Sequence, residues 1–255
     1  MQIAIIGAGN VATILAQKCV AASHNIIQII NRNEEKGKIL AKKVKAHSIN
    51  NSLKALQQGA DFYIIAVSDV AILEVVNNIS IKKGILLHTA GSIDIHALQP
   101  SSKKYGVLYP LQSVHMTMQR ISNIPLLVEG NTYEVEQAIY KFSTTLSSDV
   151  QLMNSGNRLK MHVAAVFVSN FTNHLYTLAQ QYCKENKLDF SLLVPLIKET
   201  ACRVELNKPL LMQTGPAIRN DQHTVEMHQQ LLDKHPQLLR IYNIMTESIQ
   251  KTHQS

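Results

Sequence analysis

The 255-residue chain has no tryptophan, three cysteines and no apolar run approaching the length of a membrane span. Cys19, Cys183 and Cys202 are odd in number and scattered, with no CxxC pair and no zinc spacing. Neither a disulfide framework nor a metal site is therefore expected, and the thiols read as reduced ones in a cytoplasm. No signal peptide precedes the first strand pattern, so the expectation is a soluble cytoplasmic protein without a membrane partner. A nucleic-acid partner is not expected either. The formal net charge is +7, but the basic residues are spread thinly. The one dense group, Lys36, Lys38, Lys42, Lys43 and Lys45, reads as a solvated helix face that also draws anionic ligands.

What the chain does have begins at its first residues. Met1-Gln2-Ile3-Ala4-Ile5-Ile6 is a buried-strand pattern that runs into Gly7-Ala8-Gly9-Asn10-Val11-Ala12 and then an apolar helix. Gly7 permits the tight strand-to-helix turn, Gly9 lets a pyrophosphate approach the backbone, and the small Ala12 lets helix and strand pack closely. The helix N-terminus near Asn10 would face the anion with free N–H groups and the positive end of its dipole. A second strand, Ile26-Ile27-Gln28-Ile29-Ile30, ends in Asn31-Arg32-Asn33, about 20 residues downstream, where dinucleotide-binding folds place the residue that reads the ribose. No carboxylate stands at that strand end to bond a 2′-hydroxyl. Arg32 instead offers a planar cation suited to a 2′-phosphate, which points to NADP. Glu34 and Glu35 read as the first turn of the next helix.

Strands and helices go on alternating, as expected of an α/β fold with a doubly wound parallel sheet. Further strands are expected at about 61–67, 84–88, 105–109, 124–128 and 149–152, with a helix over about 133–146. Ligands of such sheets bind beyond the carboxyl ends of the strands, so Val67-Ser68, His88-Thr89 and Pro110-Leu111-Gln112-Ser113 are the loops expected around nicotinamide and substrate. After Asn154-Ser155-Gly156 the strand pattern stops, and helices are expected over about 158–186, 191–207, 222–234 and 237–252. This sets a division into residues 1–153, which would bind the nucleotide, and an all-helical 154–255. In the first of those helices Met161-His162-Val163-Ala164-Ala165-Val166-Phe167-Val168 is apolar all round, which implies burial on every side. On a helical wheel Lys160 and His162 lie about 80° to either side of Asn170, and spacing does not choose between them. Gly215-Pro216 breaks a helix, which puts Arg219 on a loop able to clamp a carboxylate or phosphate, while Asp221 is placed to cap the helix that follows.

Taken together, the glycine turn, Tyr109-Pro110-Leu111-Gln112-Ser113, the segment from His162 to Asn170, and Thr214-Gly215-Pro216-Ala217-Ile218-Arg219-Asn220-Asp221 with Thr224 and His228 resemble one bacterial family. Its members join a Rossmann-like domain to a helical C-terminal domain of unknown function. The family's usual Arg-Gly-Asp is Arg219-Asn220-Asp221 here, and Asn tolerates the positive φ that glycine would supply. The resemblance extends to pyrroline-5-carboxylate reductase, to deazaflavin-dependent NADP reductases and to ketopantoate and hydroxyisobutyrate dehydrogenases, with a C-terminal part like that of 6-phosphogluconate dehydrogenase.

The resemblance implies a substrate held between the two domains, a homodimer made through the helical domain, and a residue early in the first C-terminal helix acting on the substrate. His162 matches that pattern, and Asn170 is carried over with it. The expected reaction is hydride transfer between NADPH and the carbonyl or imine of a small anionic metabolite, a ketopantoate-like 2-oxo acid being favoured. His162 would be the acid, Asn170 would orient the carbonyl and Arg219 would hold the anionic end. Gly7, Ala8, Gly9, Asn10, Val11, Asn31, Arg32, Val67 and Ser68 would bind the cofactor. A regulatory NADP-binding module or a scaffold without turnover are the alternatives.

Overall fold

In the computed structural model residues 1–47, 49–113 and 123–253 are described. The chain forms two compact units, Met1–Phe171 and Thr172–Ser255. The first is built on an eight-stranded sheet of order β3-β2-β1-β4-β5-β6-β7-β8. Its strands are β1 Gln2–Ile6, β2 Asn25–Ile30, β3 Ile49–Asn50, β4 Phe62–Ile65, β5 Ile85–His88, β6 Tyr105–Pro110, β7 Leu126–Gly130 and β8 Val150–Leu152. All neighbours pair parallel except β6 and β7, which are antiparallel. The sheet is thus mostly parallel, as expected of a doubly wound fold, with one antiparallel pair. Antiparallel neighbours need no helical crossover, and the sequence between Tyr109 and Ile124 carries no helix pattern.

The uniformly apolar strands are explained by burial on both faces. Ile3 and Ile5 of β1, with Phe62 and Ile64 of β4, pack into one core with Leu15, Ile139 and Phe142 from α1 (Asn10–Ala21) and α4 (Tyr133–Thr144). Ala4, Ile6, Tyr63 and Ile65 point the other way, onto Ile72, Val75 and Val76 of α3 (Asp69–Asn77). Between these in sequence, α2 (Glu34–Val44) is capped by Asn33, whose side chain accepts from the Lys36 amide, and it opens with Glu34 and Glu35 as expected. Strand order reverses at β1, since the chain moves outward to β2 and β3 and then returns to β4 on the opposite side. Such a switch point leaves a crevice above the carboxyl ends of β1 and β4.

Beyond β8 every element is helical. The first long helix is interrupted: α5 Ser155–Ala165 passes into a π-helical turn, Val166–Phe171, before α6 Thr172–Glu185. Wide turns of this kind frequently mark functional sites. The expected all-round burial of Met161–Val168 is not met, because Val163 is 51% and Val168 76% exposed. Asn170, Asn173 and His174 are exposed as well. Hydropathy identifies an apolar face but not the body that covers it.

The second unit holds α6, α7 Val194–Leu206, α8 Gln222–Leu232 and α9 Pro236–His253. The loop before α8 takes the shape foreseen for it. Asn220 adopts φ +54, and the Asp221 side chain accepts from the Thr224 amide at 3.1 Å. His228 Nδ1 lies 2.9 Å from the Tyr242 hydroxyl, which joins α8 to α9.

Candidate functional site

The crevice at the switch point is a cavity of about 800 Å³. Gly7, Ala8, Gly9, Asn10, Val11, Asn31, Arg32, Val67 and Ser68 all line it. The two glycines serve it differently. Gly7 sits at φ +120, and a Cβ there would stand 2.1 Å from the Ala66 carbonyl oxygen, so only glycine lets the end of β1 lie this close to β4. Its amide donates to the Ile30 carbonyl at 2.8 Å, tying the turn to β2. A Cβ at Gly9 would meet nothing within 4 Å, so the missing side chain leaves open space against the backbone. The first intrahelical bond of α1 runs from the Thr13 amide to the Gly9 carbonyl, with no acidic side chain in the first turn. That end of the cavity therefore presents amide donors and open backbone, which suits a pyrophosphate.

At the β2 end the cavity is cationic. Arg32, Lys36 and Lys54 line it, against one carboxylate, Glu74. The segment carrying Arg32 is held by its neighbours: the Asn31 amide donates to the Asn50 carbonyl, and the Asn31 side chain donates to the Asn33 carbonyl at 2.6 Å. Gly37 on α2 allows this close packing, since a Cβ there would meet Ile49 Cδ1 at 3.0 Å and Asn31 Cβ at 3.3 Å. No carboxylate occupies the position of a ribose-reading acid at the end of β2. The residues present therefore fit a dinucleotide, with a surplus of positive charge at its adenosine end. Lys54 had no sequence signal, because it comes from a 3-10 turn, Leu53–Ala55, that only folding brings to the same cavity as Arg32.

A second constellation forms where β5 and β6 end. Tyr109, on β6, places its hydroxyl 3.0 Å from His162 Nδ1 on α5, the two rings meeting edge to face at 79°. Gly91, in the loop after β5, forms the floor beneath them. A Cβ at Gly91 would lie 2.8 Å from His162 Cγ and Nδ1 and 3.0 Å from Tyr109 Cζ. Burial, and next the negative charge of Asp69, push the Tyr109 hydroxyl above the usual phenol range, with Arg158 pulling it back. Asp69 itself accepts from the Ser92 hydroxyl. Lys160, the alternative to His162 on spacing, is exposed, as is Asn170 in the π-helical turn.

α5 is held against the sheet by Arg158, whose side chain is 1% exposed. Its guanidinium donates to Glu129 on β7, to Ser155 Oγ and to the Ile93 carbonyl. His88, at the end of β5, is fully buried, and its Nδ1 accepts from the Ala90 amide at 3.2 Å. Burial first, and then the charge of Arg158, push His88 down to about 3, so its ring is neutral at working pH. Neutrality and depth make it a loop-shaping residue rather than an acid or base facing a substrate.

In the second unit Arg219 is 64% exposed, with Nη2 4.0 Å from Asp221 Oδ2. Asp221 caps α8 and also accepts from the Thr224 hydroxyl at 2.8 Å. Those bonds, first the Thr224 amide and then its hydroxyl, hold the Asp221 carboxyl below its ordinary range. Among the described residues no group of three or more His, Cys, Asp or Glu side chains comes together as metal ligands would, and no helix is long and apolar enough to cross a membrane.

Comparison with known families agrees with this geometry. Residues 2–90 match the family model for coenzyme F420-dependent NADP oxidoreductase, and residues 124–249 match that of DUF2520, a domain of unknown function. The crystal structure of a Bacteroides fragilis protein assigned as an NADP oxidoreductase is 36% identical over 98% of both chains, with a TM-score of 0.91. A pyrroline-5-carboxylate reductase from Streptococcus pyogenes shares 13% identity over 98% of each chain at a TM-score of 0.66. A reductive aminase from Aspergillus terreus, solved with NADPH and ethyl-5-oxohexanoate, shares 13% over 95% of this chain and 87% of its own at 0.65. The last two show likeness of fold alone. A search of curated proteins finds no match.

Proposed function

The chain belongs to the family of oxidoreductases that join an F420-dependent NADP oxidoreductase domain to DUF2520, and we propose that it passes hydride between NADPH and a carbonyl or imine carbon of a small anionic metabolite. Ketopantoate-like 2-oxo acids are the first candidates. The observation that carries the reading is the switch-point cavity, with open backbone at Gly9 and the three cations Arg32, Lys36 and Lys54 at its far end. A 2′-phosphate would find there the planar, bidentate partner that Arg32 supplies, supported by two point charges.

The bound dinucleotide supplies the hydride. The chain's own part is to position, to bind charge and to move a proton. Val67 and Ser68 border the cavity at the carboxyl end of β4, the side on which the reacting ring of a dinucleotide lies in this fold. As hydride reaches a carbonyl carbon, negative charge grows on the oxygen and a positioned acid must neutralise it. His162 is assigned that role, since an imidazole can both give and take a proton and this ring is held in place by Tyr109 and Gly91. Asn170 would orient the carbonyl. Arg219, on a loop and well exposed, would hold the substrate's carboxylate. We further propose a homodimer, which the exposed apolar side chains Val163, Phe167 and Val168 favour.

The test is NADPH oxidation screened over small 2-oxo acids, ketopantoate first, and cyclic imines. With an active substrate, His162→Ala should lower kcat by about 10² or more, the usual contribution of a general acid. Arg219→Ala should chiefly raise KM. Unchanged turnover in either variant removes that residue's role.

A further inference from the structure

We infer that Tyr109 is the positioning residue for His162: its hydroxyl oxygen accepts the Nδ1 proton, which leaves Nε2 as the atom that gives and takes a proton. The inference rests on the assignment of His162 as the proton donor, and it explains how a ring on a helix is held in one working orientation.

Three surfaces meet at that ring. Tyr109 comes from the end of β6, Gly91 from the loop after β5 and His162 from α5. Tyr109 lies 3.0 Å from Nδ1, and Gly91 closes the same edge, where a Cβ would stand 2.8 Å from both Cγ and Nδ1. The Nδ1 edge is thus enclosed. Within this unit Nε2 has no hydrogen-bond partner among the described residues.

The proton count chooses between the two possible directions of the Tyr109–His162 bond. If the phenol donated to Nδ1, the neutral ring would carry its only proton on Nε2, and releasing it would leave an anionic imidazole. If Nδ1–H donates to the phenol oxygen, the cationic ring holds a proton on each nitrogen. It gives the Nε2 proton to the oxygen or nitrogen that gains charge as hydride arrives, and it is left neutral with its Nδ1 proton still in place. In the oxidative direction the same Nε2 lone pair takes the proton back. Both states keep one bond and one orientation, the part an aspartate plays for the histidine of a serine protease. The phenol differs from that aspartate in being neutral. Burial and the nearby Asp69 oppose its ionisation, so it orients the ring without offering a counter-charge.

The test is the tautomer of His162, read by long-range 1H–15N correlation on protein labelled with 15N-histidine. The chain has 11 histidines, so the His162 signals are identified by their loss in His162→Gln. The wild type should show a neutral ring protonated on Nδ1 with Nε2 bare. Tyr109→Phe keeps the ring and its packing but removes the acceptor, and should move the population toward Nε2–H. Gly91→Ala, which drives a methyl into the same edge, should do likewise. A wild-type ring protonated on Nε2, or an Nδ1–H population that Tyr109→Phe leaves unchanged, would overturn the inference. Because the tautomer is read without turnover, a failure of His162 as the catalytic acid would appear separately, as undiminished activity in His162→Ala.

Discussion

Lowering the pH from 7 to 5 protonates ordinary histidines in the unfolded chain but leaves His88 neutral in the folded one. Burial, followed by the charge of Arg158, pushes His88 from 6.5 to about 3, and the side chain is fully buried. Between those two values the unfolded state binds more protons than the native state, so stability rises with pH and is lost as pH falls. At about 1.4 kcal/mol per pH unit below 6.5, the move from pH 7 to pH 5 should remove about 2 kcal/mol through this residue alone. That is a large part of a typical margin of roughly 5–15 kcal/mol. The assay is urea unfolding at the two pH values, with the m-value checked for constancy. His88→Asn is the control, since its amide oxygen can accept from the Ala90 amide in place of Nδ1 and does not titrate. The variant should lose about 2 kcal/mol less than the wild type over the same pH step. Equal losses in both proteins would show that His88 is not the source.

Other perturbations test other joints of the fold. Gly7→Ala places a Cβ 2.1 Å from the Ala66 carbonyl at φ +120, and should cost at least about 2 kcal/mol in urea unfolding and abolish nucleotide binding by calorimetry. Glu129→Ala leaves the buried Arg158 guanidinium without its counter-ion, and should destabilise by about 3–5 kcal/mol, a midpoint shift that denaturation reads directly. Thr132→Ala removes the side chain that accepts from the Val135 amide at the start of α4, and should lower stability by about 1 kcal/mol.

The N-terminal half was legible because its signals are local. Strand, glycine turn and helix lie within residues 2–21, and the run of Phe62, Tyr63, Ile64 and Ile65 states its own burial on two faces. The Asn220 turn and the Asp221 cap were legible for the same reason, since each depends on a few neighbouring residues. What sequence could not give is what distant segments make together. Lys54 lines the same cavity as Arg32 because β3 pairs with β2. Tyr109 was legible as the end of a strand, but nothing in the spacing set it and Gly91 around His162, 53 positions beyond Tyr109. The π-helical turn was hidden because its residues, Val166 to Phe171, carry the same apolar character as the helix on either side. Antiparallel β7 was hidden too, for an apolar strand reads alike in both directions.

Titration of the protein with NADPH and with NADH, repeated on Arg32→Ala, decides whether the cavity above β1, β2 and β4 takes NADPH and whether Arg32 reads its 2′-phosphate. A charge-assisted bidentate contact is worth about 1.5–3 kcal/mol, so the wild type should prefer NADPH by about ten- to hundredfold, and the variant should lose most of that preference while still binding NADH. Equal affinity for the two nucleotides in the wild type, or a preference that survives the loss of Arg32, would mean that Arg32 does not read a 2′-phosphate.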